Sequence, residues 1–410
     1  MANLGTKGGT KNIAIAGAVL LVIIVAAAVL LYHPASTVIV STTVALGNYT
    51  TAATTTIQPL NSSIASTEIT TSISSAAVPR LLDNVSVVAN ASSSSPTSAT
   101  YDPGNGYIYV TGTNNNVSVI SGTSVVGIIT VEPSAGHPAY NSGNGYIYVP
   151  DALRHAVSVI SGTSVVGTIV EYSLDQPVFA VYDPRNGYVY VTNIRPSAPG
   201  IVTVINGTSI VGNVSVGSFP NSAVYDSGNG YIYVANQNSG TISVINDTSL
   251  VGTVTVGQAP SYPTYDPHNG YVYVPDSGAG AVSVINDISV VGNVSVSGSP
   301  TSAAYDPSNG YIYVANRVVN QDGTVSIISG TSIVTNVSVG NEPNSATYNP
   351  DNGYIYVSNY GSGSFSFIYG TSVIGNLSVG GGPYLPAYDS GNGHVYVPNF
   401  GSGYVNILSS

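Results

Sequence analysis

The 410-residue sequence contains no cysteine and no tryptophan, has one methionine, and only 6% of its residues are charged. Without cysteine, a disulfide framework, an iron–sulfur cluster and a thiolate zinc site are all excluded. Cations are especially scarce. Lys7 and Lys11 are the only lysines, and residues 81–410 carry only Arg154, Arg185, Arg195 and Arg317. With a formal charge of −11, so few cations cannot line a phosphate-tracking groove, and nucleic acid is not an expected partner. The histidines are His33, His137, His155, His268 and His394, with no close pair at metal-ligand spacing. No cofactor and no metal are expected. A surface this poor in charge depends on hydroxyls, amides or attached sugars for solubility. Few carboxylates also mean little change in net charge near pH 4, which suits an acidic habitat.

What the chain does have is glycine, at 46 residues, and a repeated phrase. Asn-Gly-Tyr-Ile-Tyr-Val at Asn105–Val110 returns at Asn144, Asn186, Asn229, Asn269, Asn309 and Asn352, with Val for Ile at the second and fourth of these, and as Asn-Gly-His-Val-Tyr-Val at Asn392. Asn-Gly is a strong hairpin-turn signal because both residues tolerate positive φ, and Tyr-Ile/Val-Tyr-Val is a strong strand former. Each copy therefore reads as a turn feeding a strand. Aligned on Pro96, Pro138, Pro177, Pro220, Pro260, Pro300, Pro343 and Pro383, the repeats are spaced 39 to 43 residues apart. That period predicts a β-propeller with one four-stranded blade per repeat. Tyr and Ile/Val alternate along the second strand, so both of its faces are apolar and both must be covered, as when blades stack around an axis. The last repeat stops after three strands. Asp83-Asn-Val-Ser-Val, ahead of the first repeat, matches the fourth strand elsewhere. The fold class is thus all-β, an eight-bladed propeller closed by an N-terminal strand.

Ahead of the propeller (81–410) the sequence reads as three pieces. Residues 1–12 form a short polar tail with both lysines. Residues 13–32 form a transmembrane helix. Its apolar stretch Ile13–Leu31 is 19 uncharged residues, spanning about 29 Å, close to one hydrocarbon core. The lysines before it and none after it orient the N-terminus inward and the propeller outward, a single-pass protein of the cell membrane. A cleaved signal peptide ending near Pro34 and a pilin-like helix in a filament core are the alternatives. Residues 33–80 are rich in Ser and Thr and read as a stalk.

The repeats resemble the YVTN-type propeller repeat family of archaeal and bacterial surface proteins. Tyr188-Val-Tyr-Val-Thr-Asn193, Tyr231-Ile-Tyr-Val-Ala-Asn236, Ile242-Ser-Val-Ile245 and Val256-Gly257 carry the likeness. It covers about residues 81–410 and implies the fold and a cell-surface setting. It implies no reaction, since propellers host many activities.

The candidate chemistry is sparse. Asp102, Asp183, Asp226, Asp266, Asp306 and Asp389 recur in the Tyr-Asp turn, as calcium ligands or as turn caps; Asn141 and Asn349 replace them, which a cap tolerates. Ser124 and Ser164 read as turn residues. His137 and His155 lie in loops of neighbouring repeats. The variable loops after the second strands hold Asp151, Arg154, His155, Arg195, Asp276, Arg317 and Asp322. The connections between blades add Glu132, Glu171, Asp175 and Glu342. Propeller geometry puts both loop sets on one face, the expected ligand face. Acceptors for N-linked glycans occur at Asn48, Asn61, Asn84, Asn90, Asn116, Asn206, Asn213, Asn246, Asn293, Asn336 and Asn376. Of these, Asn84, Asn213, Asn293, Asn336 and Asn376 start the expected outermost strand, which would ring the rim. The function these features favour is a non-enzymatic, membrane-anchored surface propeller. It would act in adhesion, envelope assembly or binding of surface proteins, glycans or copies of itself. An extracellular hydrolase or lyase, and a filament subunit with a propeller head, are the other readings.

Overall fold

The computed structural model describes residues 38–46, 49–57, 69–75, 78–87, 95–113, 115–171, 174–196 and 198–409. The tail at 1–12, the segment 13–32, and Asn48, Asn61 and Asn90 lie outside them. The chain divides into two units, Met1–Val78 and Pro79–Ser410.

In the first unit, Val38–Leu46, Tyr49–Ile57 and Ile69–Ser75 form an antiparallel three-stranded sheet. Its register runs from Val38 opposite Ile57 to Leu46 opposite Tyr49, and from Thr51 opposite Ser75 to Ile57 opposite Ile69. Part of the stretch read as a stalk is therefore regular β-structure, as its many Thr, Val and Ile residues favour.

The second unit is an eight-bladed propeller with no helix among its described residues. Blade four shows the pattern: Pro220–Tyr225, Ile232–Asn236, Thr241–Asn246 and Ser249–Thr255, hydrogen-bonded in that order. The eighth blade takes its second and third strands from Val395–Phe400 and Tyr404–Leu408, and its fourth from Leu81–Ser86 at the start of the unit. Val405 stands opposite Val85 and Asn406 opposite Asn84. Arg80 N–H donates to Ser409 Oγ at 3.0 Å and Ser409 N–H to Arg80 O at 2.9 Å, so the two ends of the ring are tied directly.

Second strands are buried on both faces. Ile232 and Val234 pack with Tyr190, Val202 and Val204 of the preceding blade. Tyr233 and Ala235 pack with Val272, Val274 and Ile285 of the following one. Burying a large apolar side chain contributes on the order of 1.5–3 kcal/mol, and here it recurs on the second and third strands of every blade.

The Asn-Gly turn works differently from the sequence expectation. Only the glycine has positive φ, from 72° to 78° across the eight copies. The asparagine acts through its side chain. Asn105 Oδ1 accepts from Tyr107 N–H at 2.9 Å, and its Nδ2 donates to the Tyr109 hydroxyl at 3.0 Å. The same pair of bonds holds the other copies, as at Asn229 with Tyr231 and Tyr233. The tyrosine hydroxyl then donates across to the next blade: Tyr109 to Gly162 O, Tyr148 to Gly207 O, Tyr313 to Gly370 O and Tyr396 to Gly122 O, at 2.8–2.9 Å. Each of these four buried phenols is thereby satisfied and latches one blade to its neighbour.

The outer strands carry a β-bulge at one repeated place. Val159 pairs with Gly167 but Ile160 with Val165, leaving Val166 unpaired, and the seven other blades shift register at the same place. In blades one to five the glycine beside the bulge leaves room for the next blade's turn. A Cβ on Gly292 would come within 2.6 Å of Thr331 Cγ2. This accounts for the Gly-Thr-Ser and Val-Val-Gly phrases as two halves of one contact. Bulges also blunt the eight exposed sheet edges.

Candidate functional site

Two faces bound the ring, and they differ in kind. One is made of the turns after first strands and those joining third to fourth strands. There the repeated Asp caps its own turn: Asp102, Asp226 and Asp389 Oδ1 accept from the N–H two residues on at 2.7–2.8 Å, and Asn141 and Asn349 do the same at 2.8–2.9 Å. These groups are used up in the turns. No cluster of three metal-ligating side chains occurs among the described residues.

The other face carries the variable loops and the connections between blades. The charged residues expected there meet in ion pairs. Arg154 Nε lies 3.5 Å from Glu132, and Asp175 stands 3.7 Å from both His155 Nδ1 and Arg195 Nε. Arg317 Nη2 donates to Glu342 Oε2 at 2.6 Å, while Glu342 Oε1 accepts from Asn320 N–H at 2.9 Å. The bond from Asn320 and the Arg317 guanidinium hold the Glu342 carboxyl below its usual pKa. His155 Nδ1 is also 3.0 Å from Leu174 O. Asp322 is exposed where the third strand of blade six begins.

Asp151 and Asp276 are not on that surface. Both are fully buried beneath it at the end of the second strand, where blades three, four, six, seven and eight carry Asn193, Asn236, Asn316, Asn359 and Asn399. Ser158 and Ser283 hydroxyls donate to them at 2.7 and 2.6 Å. The asparagines take the same place, as when Asn236 Nδ2 donates to Ser243 Oγ at 3.0 Å. Burial outweighs these bonds and pushes the carboxyl of Asp151 up to about 7 and that of Asp276 up to about 6. In blades four, five, seven and eight the glycine ahead of the repeat proline (Gly217, Gly257, Gly340 and Gly381) packs against this residue. A Cβ on Gly257 would lie 2.7 Å from Asp276 Cβ.

His137 and His155 do not meet. His137 is stacked on Phe179 at 4.4 Å in the central channel, and Phe179 meets Tyr262 edge-on at 6.1 Å. Burial lowers the His137 imidazole to about 4. A cavity of about 190 Å³ remains in the channel among His137, Phe179, Tyr262 and Leu385.

A larger cavity of about 390 Å³ lies above it on the loop face. Two repeat positions build it. The residue after the buried Asp or Asn of the second strand contributes Ser277, Arg317, Tyr360 and Phe400 from blades five to eight, and the residue after the repeat proline contributes Ser261, Thr301, Asn344 and Tyr384 from the same blades. Tyr262, held at φ 37°, separates it from the channel. In blades one to four the same two positions hold Thr113, Ala152, Ile194 and Gln237, and Thr97, Ala139, Val178 and Asn221. Reading the loops for charge finds only Arg317 of this site. The signal for the rest is the aromatics at 360, 384 and 400, at positions where no other blade carries an aromatic residue.

On the rim, Asn84, Asn213, Asn293, Asn336 and Asn376 are exposed, each inside the outer strand rather than at its start. Asn206 is also exposed, whereas Asn116 and Asn246 are partly buried.

No family model and no curated protein matches this sequence. Solved structures match its shape. The C-terminal WD40 domain of Sif2 aligns at TM-score 0.65 and 8% identity over 81% of this chain and 98% of its own. Hydrazine synthase of Kuenenia stuttgartiensis aligns at 0.55 and 16% identity over 71% and 99%. A streptogramin B lyase aligns at 0.54 and 12% identity over 80% and 97%. At these identities the likeness is one of fold alone: this chain is an all-β eight-bladed propeller.

Proposed function

We propose that this propeller is a non-enzymatic binding module at the cell surface, single-pass and anchored by residues 13–32, that engages its partner through the loop face. The observation that carries the reading is the asymmetry of that face. In a ring of eight near-identical blades these two positions vary from blade to blade, aromatic residues occupy them only in blades seven and eight, and on that side of the ring they enclose a cavity of about 390 Å³. Loops on a rigid scaffold are where binding residues accumulate. The Ile13–Leu31 stretch and the YVTN-like repeats support the surface setting, and adhesion or envelope assembly are the roles that fit it. The exposed acceptors on the outer strands support glycosylation of the rim, where sugars would cover edges and supply the polarity the composition lacks.

Binding fits the chemistry of the face better than catalysis does. The two carboxyls tuned toward neutral pH, Asp151 and Asp276, are sealed beneath it and reach no ligand. The exposed arginines are held by carboxylates. The test is binding of the full-length chain to isolated cell envelopes, compared with a variant in which Arg154, Arg195 and Arg317 are all Ala. A loss of about tenfold or more is expected, because these side chains shape the loops around the contact. Unchanged binding overturns the assignment to this face.

A further inference from the structure

We propose that the cavity of blades five to eight is a binding site for a neutral pyranose sugar. The inference rests on the loop-face reading above and names its ligand.

Three features of the cavity point to this class. First, it has an aromatic floor. The ring centroids of Tyr360, Tyr384 and Phe400 lie 6.3–6.4 Å from one another and their planes are inclined by 37–78°, so the three rings form one aromatic cluster that lines the cavity. Ring faces carry partial negative charge and attract the polarised C–H groups that a pyranose presents on one side. Second, it is electrically balanced. Its one fixed charge, Arg317, is neutralised by Glu342 at 2.6 Å. An anion would have to displace Glu342, and a cation would find no free carboxylate. Third, its polar groups have capacity to spare. Asn344 Oδ1 is shielded from solvent without a partner. The Tyr262 and Tyr384 hydroxyls make no hydrogen bond to another described residue. Phenol hydroxyls both donate and accept, as sugar hydroxyls do. A buried group left unpaired costs about 1–3 kcal/mol, which a ligand hydroxyl would recover. The volume of about 390 Å³ falls at the small end of ligand sites, which run from roughly 300 to 1,000 Å³, and suits one or two sugar rings.

The full-length chain can be titrated with the methyl glycosides of glucose, galactose, mannose and N-acetylglucosamine, and screened against an array of neutral oligosaccharides. Saturation-transfer NMR reads which sugar protons approach the rings. Saturable binding of at least one neutral sugar is expected. Phe400→Ala should weaken it about tenfold or more without lowering the melting temperature, since Phe400 is 38% exposed and is not part of the core. Tyr384→Phe keeps the packing and removes only the hydroxyl, and should weaken binding about fivefold or more. An Arg154→Ala/Arg195→Ala double variant leaves the cavity intact and should bind the sugar as the parent does. Absence of binding to every neutral sugar, or equal binding by Phe400→Ala and Tyr384→Phe, overturns the proposal. If envelope binding nevertheless depends on the three arginines, the loop-face reading stands and the occupant is a protein or an anionic polymer.

Discussion

At the residue scale, the buried aspartates set how this protein answers to pH. In an unfolded chain both carboxyls ionise near 3.8, whereas in the fold Asp151 keeps its proton to about 7 and Asp276 to about 6. Between those limits the folded state binds more protons, so their contribution to stability falls as pH rises from about 4 to about 7. His137 runs the other way. Its folded value of about 4 lies below the ordinary 6.5, so its contribution falls as pH drops from about 6.5 to about 4. Glu342, held low by Asn320 and Arg317, likewise loses its contribution in acid. The carboxyl terms are the larger pair, which bears on the acidic habitat inferred from composition. Five other blades show the remedy, an asparagine in the same place. Asp276→Asn should therefore stabilise the protein at pH 7, on the order of 2–3 kcal/mol, and have little effect at pH 4. Melting curves at the two pH values check this; an equal shift at both would show that the carboxyl is not desolvated.

At the scale of the strand and blade, the unit of cohesion is the tyrosine latch. Tyr313 accepts from Asn309 Nδ2 at 2.9 Å inside its own turn and donates to Gly370 O at 2.8 Å in the next blade. One phenol so fixes a turn and an interface together. Tyr313→Phe keeps the apolar burial and leaves two polar partners short of a bond, which should cost about 1–3 kcal/mol. Denaturant titration reads it, with the slope unchanged because the surface exposed on unfolding stays the same. A negligible change would mean water replaces the hydroxyl. The turn itself was legible as a turn from Asn-Gly, but the working of its asparagine was not. Composition names the residue, and only the folded hairpin shows that its amide reaches the phenol four residues on.

At the scale of the whole molecule, closure governs stability. Each blade buries both faces against neighbours, so a ring with a missing strand exposes apolar surface and a free sheet edge. Leu81–Ser86 supplies that strand, and Val85 and Val87 join the core formed by Val405, Ile407, Ile108 and Ile120. Removing 81–87 from the full chain should lower the melting temperature by roughly ten degrees or more and promote association through the bared strand Tyr404–Leu408. Calorimetry with light scattering would detect both; an unchanged melt would contradict the closure.

The sequence by itself determined the architecture. A period near 40 residues, a strand apolar on both faces, and a fourth-strand phrase displaced to the front were enough to specify eight blades and the strand that closes them. Local patterns repeat, and eight repetitions outweigh the ambiguity of any one. Tertiary structure alone decided what stands on the surface. Asp151 and Asp276 look like loop residues because they follow the Tyr-Ile/Val-Tyr-Val phrase by two positions, yet each ends the strand fully buried beneath the loop face, Asp276 against Gly257 of the connection into its own blade. The arginines Arg154, Arg195 and Arg317 look free in a chain with few charges, yet the connections between blades bring Glu132, Asp175 and Glu342 to them across long sequence separations. Tyr360, Tyr384 and Phe400 are up to 40 residues apart, and only the packing of blade eight against blade seven brings their rings into one cluster.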